Sequence, residues 1–115
     1  MNEALQGFLD RSLPLPGVTA CGVRLADRTF VSRCYSDWFT PAQVEQVLSR
    51  LALAADSLGY HGIQPTRLCW VFEHVRIHLA LRRDTGCVAF FVENRPGTSP
   101  KLEGLLEEFA GLPAL

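Results

Sequence analysis

Three histidines (His61, His74 and His78) and four cysteines (Cys21, Cys34, Cys69 and Cys87) are the residues of this 115-residue chain best suited to bind a metal or act as a nucleophile. The cysteines lie on separate segments with no C-x-x-C spacing and no secretory context, so they read as structural thiols rather than as disulfides or a zinc site. A Cys–His nucleophilic pair must converge in a cleft, and no cysteine sits on a recognisable catalytic loop or nucleophile elbow. Gly7, Gly17 and Gly22 form neither G-x-G-x-x-G nor G-x-x-x-x-G-K-[ST], so no nucleotide phosphate is cradled. Asp27, Asp37 and Glu103 are scattered where acid–base chemistry needs paired carboxylates. The expectation is a protein without catalytic residues, metal or cofactor.

What remains is binding, and composition bounds it. Hydrophobic residues make up 48% and charged residues 20%, the balance of one globular domain spanning residues 1–115. A formal charge of -1 argues against nucleic acid, whose affinity rests on an excess of Lys and Arg. No apolar run approaches the roughly 20 residues of a membrane span, and Met1 to Leu5 lacks a signal peptide's basic start, so a cytoplasmic location is expected.

The elements that would carry a binding surface can be read in order. Leu5, Phe8, Leu9 and Leu13 keep helical spacing until Pro14, Pro16 and Gly17 stop it. Val18 to Leu25 and Thr29 to Tyr35 read as strands joined by Ala26-Asp27-Arg28. Thr40-Pro41-Ala42-Gln43 is a capping box with proline at the first helical position. The helix it opens carries Val44, Val47, Leu48, Leu51, Ala55 and Leu58 on one stripe, widened by Leu53 and Ala54, and ends at Gly59 and Gly62. Phe39 or Trp38 is placed to staple its start. Ser99-Pro100 predicts the cap of a last helix with Leu102, Leu105, Leu106 and Phe109 on its apolar stripe.

Between them, Thr66 to Glu93 predicts a three-strand meander. A first turn at His74-Val75 sets Phe72 opposite Ile77, Trp70 opposite Leu79 and Leu68 opposite Leu81. A second turn centred on Asp84-Thr85 sets Leu81, Leu79 and Ile77 opposite Val88, Phe90 and Val92. All the large apolar residues then share one face, with Arg76 between Glu73 and Glu93. The predicted fold is α+β, in the order α-β-β-α-β-β-β-α, with a five-stranded, mainly antiparallel sheet and helices on both faces.

This order resembles the roadblock (dynein light-chain) family, small proteins of profilin-like architecture. The likeness covers nearly the whole chain and is carried by Leu15-Pro16-Gly17-Val18-Thr19-Ala20-Cys21-Gly22-Val23, Arg76-Ile77-His78-Leu79 and Phe90-Phe91-Val92-Glu93. It implies a homo- or heterodimer in which the third strands pair and the central helices lie side by side. It also implies a Ras-like small GTPase as partner, with no catalytic residues contributed by the family member.

On this chain the implied dimer interface takes Leu68, Cys69, Trp70, Val71 and Phe72 from the third strand. From the central helix, whose apolar surface exceeds what one sheet face covers, it takes Val47, Leu51, Ala54 and Leu58. Gln43, Gln46, Arg50 and Asp56, exposed between the apolar positions and without evident core role, are the expected GTPase contacts. The alternative is a small-molecule sensor of PAS or profilin-like type, which needs an internal pocket that the large side chains of the meander leave little room for.

Overall fold

The computed structural model describes residues 3–94 and 100–113. The elements are α1 Glu3–Ser12, β1 Val18–Arg24, β2 Phe30–Cys34, α2 Pro41–Gly59, β3 Arg67–Val71, β4 Val75–Leu81, β5 Cys87–Glu93 and α3 Pro100–Ala110, the expected order. Ser99 lies outside the described residues.

The clearest sequence signal becomes the best-defined helix start. The Thr40 hydroxyl accepts the Gln43 backbone N–H at 3.2 Å, and Gln43 Oε1 accepts the Thr40 N–H at 2.9 Å. Two amides that a helix start leaves without intrahelical partners are thereby bonded. Phe39, just before the cap, packs edge-on against Phe91 at 4.9 Å between centroids, while Trp38 stays half exposed. Phe39 is the ring that anchors the helix start.

All strand pairs are antiparallel, in the spatial order β2-β1-β5-β4-β3, so β2 and β3 are the two edges. The sheet separates two cores. Leu5, Phe8 and Leu9 of α1 and Leu102, Leu106 and Phe109 of α3 pack with Val88, Phe90 and Val92 on one face. Val44, Leu48, Ala52 and Ala55 of α2 pack with Ile77, Leu79, Cys87, Ala89 and Phe91 on the other. Helix α2 leans on β1 and β2, and Gly22 makes that approach possible: a Cβ there would sit 2.8 Å from Val44 Cγ1.

The meander departs from the expected register. The first turn is Glu73-His74, not His74-Val75, and Phe72 N–H donates to Val75 O at 2.9 Å. Trp70 therefore faces Ile77, and Leu68 faces Leu79. Moving each strand by one residue preserves the shared apolar face. The second turn is a three-residue loop: Arg82 N–H donates to Gly86 O at 2.9 Å, and Thr85 is left-handed with φ 72°. Ile77 now faces Phe91, Leu79 faces Ala89 and Leu81 faces Cys87.

That is a one-residue slip, and it sends Val88, Phe90 and Val92 to the α1/α3 core rather than beside Ile77 and Leu79. Arg76 lies between Val71 and Val92, not between Glu73 and Glu93. The β1–β2 loop is the same device, with Arg28 N–H donating to Leu25 O and Arg28 at φ 72°. In both loops an aspartate, Asp27 or Asp84, accepts the backbone N–H two residues on.

Candidate interaction surface

Backbone direction decides what β3 offers. Phe72 N–H donates to Val75 O and Leu81 N–H to Thr66 O, so the even-numbered residues from 66 to 72 hold β4. Arg67, Cys69 and Val71 consequently turn their own N–H and C=O groups to the open edge. Their side chains point to the α1/α3 face, where Arg67 pairs with Glu103 and Glu107 while Cys69 and Val71 are exposed. Asn94 fixes the turn beyond them, its Nδ2 donating to Phe72 O at 2.6 Å.

Leu68 and Trp70 point the other way, toward the α2 side, and are only half-buried. Because α2 lies over β1 and β2, the β4–β3 half of that sheet face is left thinly covered. Val47 and Leu51 of α2 join Leu68, Trp70, Val75 and Leu81 as half-buried side chains against one core. Leu58 is half-buried and Ala54 exposed, while Phe72 at the end of β3 stays 46% exposed. The structure thus brings Val47, Leu51, Leu68 and Trp70 together against a single core, and puts Cys69 and Val71 on the opposite face of the edge strand.

The four expected partner contacts divide. Gln43, Gln46 and Arg50 line a groove of about 360 Å³ with Trp38, Phe39 and Val47. Gln43 also serves the cap, as the capping box requires, so its side chain is held there. Asp56 is on another stripe of the helix, with Ser49 and Leu53, beside Phe30, Arg24 and Arg28. There its carboxylate stands 3.9 Å from the buried Arg24 guanidinium, which also donates to Thr85 O. Asp56, itself exposed, thus stands as counter-ion to a buried cation on β1. Leu53, 70% exposed, and Trp38 are the apolar members of the helix surface that a search for polar contacts passes over.

The chemistry-bearing residues are dispersed. His61 follows α2, His74 is in the β3–β4 turn and His78 is on β4. Among the described residues no three His, Cys, Asp or Glu side chains converge on a metal position. All four cysteines are free thiols. Burial pushes Cys21 up to about 12 and raises Cys34 and Cys87, so these three remain protonated and poorly nucleophilic at neutral pH. No helix among the described residues is long and apolar enough to cross a membrane.

No family model matches the chain, and no curated protein sequence does. The arrangement itself is found in solved structures. Myxococcus xanthus MglB superposes with a TM-score of 0.70 over 96% of this chain and 90% of its own, at 9% identity. A Roadblock/LC7 domain from Streptomyces avermitilis superposes with a TM-score of 0.59 over 96% of this chain and 88% of its own, at 14% identity. The fold is the roadblock fold. At this identity the likeness is one of backbone fold, and the side chains of the surface are this chain's own.

Proposed function

We propose that this roadblock domain is a non-enzymatic, dimeric regulator or scaffold of a Ras-like small GTPase. One observation carries the reading: an open edge strand continues directly into an apolar sheet face that α2 leaves half covered. Long apolar edge strands are normally blunted or buried. Pairing β3 with the β3 of a second copy would extend the sheet, and the second α2 would settle over Leu68, Trp70, Val47 and Leu51. We take Leu68 to Phe72, with Val47, Leu51, Ala54 and Leu58, as that seam. The GTPase belongs to the outer surface of the paired helices, where Gln46, Arg50 and Trp38 border one groove.

Arg50 is the first residue to change, because its charge can orient a partner while contributing little to the fold. The experiment is a calorimetric titration of the chain against the Ras-like GTPase encoded nearest to it, loaded with GDP or with a GTP analogue. Binding in one state is expected, with Arg50→Glu about tenfold weaker. No binding in either state would exclude that GTPase. Unchanged affinity of Arg50→Glu would exclude this stretch of helix.

A further inference from the structure

Strand β4 turns Arg76, His78 and Ala80 to the α1/α3 face, opposite Ile77 and Leu79, and of the three only Ala80 suits the core it meets. Arg76 lies between Val71 and Val92, and His78 between Cys69 and Phe90. Neither row supplies an oxygen acceptor from a side chain. Arg76 Nε, Arg76 Nη2 and His78 Nε2 are all shut off from solvent and have no hydrogen-bond partner among the described residues. Buried polar atoms are almost always paired, and a guanidinium is charged at every physiological pH, so three such atoms on neighbouring positions need a physical reason.

The identity of the two guanidinium nitrogens supplies one. Nε and Nη2 form a side of the guanidinium whose N–H bonds run parallel, the fork that grips two oxygens of a carboxylate or phosphate at once. The neighbouring acids are already engaged. Glu103, the carboxylate that acts electrostatically on His78, is bound by Arg67, which also holds Glu107 at 3.8 Å, and Glu73 stands 3.5 Å from His74.

We propose that Arg76 and His78 form a receptor for an oxyanion, a carboxylate or phosphate group, on the α3 side of the sheet one strand in from the β3 edge. Arg76 takes two oxygens through its Nε/Nη2 fork, and His78 donates a third hydrogen bond from Nε2. Desolvated donors of this kind hold an anion more strongly than donors at the surface. The site is on the face opposite α2, so it requires neither the dimer nor a GTPase.

The test follows the Arg Nε–Hε resonances of the ¹⁵N-labelled full chain during titration with sodium acetate, and separately with sodium phosphate. Sodium chloride at matched ionic strength is the reference. The Arg76 signal should move saturably with at least one oxyanion and not with chloride. Arg33, whose guanidinium already holds Asp10 at 2.8 Å, reports non-specific ion effects. Arg76→Lys keeps the charge but lacks the fork and should bind about tenfold more weakly. His78→Leu keeps the fork and should bind severalfold more weakly, which provides a second variant if the first folds poorly. Movement of the Arg76 signal no greater than that of Arg33 with both oxyanions would overturn the proposal, as would full affinity in either folded variant.

Discussion

At the scale of single residues, Gly22 and His78 show how much one side chain decides. Gly22 lets α2 settle on the sheet, and Gly22→Ala would press a methyl to 2.8 Å from Val44 Cγ1 and 3.2 Å from Leu48 Cδ2. Leu48 can turn aside, but Val44 is β-branched and held near one rotamer in a helix, so α2 itself must shift. Urea unfolding should show a loss of about 1–3 kcal/mol, the usual cost of overpacking. A loss below about 0.5 kcal/mol would mean that the helix moves freely on the sheet.

His78 governs a pH response. Burial, and then the Arg76 charge, hold its imidazole below the usual 6.5, against a smaller opposing pull from Glu103. Between the folded and unfolded values the unfolded chain binds more protons, so stability rises with pH through that window. The contribution is complete above 6.5 and falls away as the pH drops toward the folded-state value. Asp10 and Asp27 are held below 3.8, so their losses begin at lower pH. The melting temperature should therefore drop between about pH 7 and pH 5, and His78→Gln should flatten that drop. An equal drop in both proteins would assign the response to another group.

At the scale of elements, α2 was legible from the sequence because its signals are local. Thr40, Pro41 and Gln43 sit within four residues, and each acts on the backbone beside it. Thr40→Ala should lower stability by about 1 kcal/mol in the same urea experiment, the ordinary value of an N-cap. Strand β5 was not legible in register, because Cys87-Val88-Ala89-Phe90-Phe91-Val92 is buried on both faces and alternation carries no phase. Its register comes from the three-residue loop at Arg83 to Thr85, where a non-glycine residue accepts a left-handed backbone. The candidate surface was legible where side chains neighbour one another along α2, as Gln46 and Arg50 do. It was not at Asp56, whose partner Arg24 belongs to a strand two elements earlier.

At the scale of the whole molecule, the radius of gyration of 13.2 Å is close to the about 13 Å of a filled domain of this length. The half-covered face at β3 and β4 is therefore not a sign of loose packing but a feature of a complete fold, and it asks for a cover. Two edges compete for a second copy, and the backbone lets them be told apart. On β3, Cys69 aims its N–H at the open edge, so Cys69→Pro removes no bond to β4. On β2, Tyr35 N–H donates to Thr19 O and Leu25 N–H to Thr29 O, so odd-numbered residues hold β1 and Ser32 faces outward. Ser32→Pro is the matching change at the opposite edge. Light scattering at micromolar concentration should give the parent twice its chain mass of 12.8 kDa. Ser32→Pro should keep that dimer, and Cys69→Pro should fall to a folded monomer whose exposed Trp70 shifts its fluorescence to the red. A monomeric parent would remove the dimer altogether. A dimer lost in Ser32→Pro but kept in Cys69→Pro would move the seam to β2, leaving the Leu68 and Trp70 face for a different partner to cover.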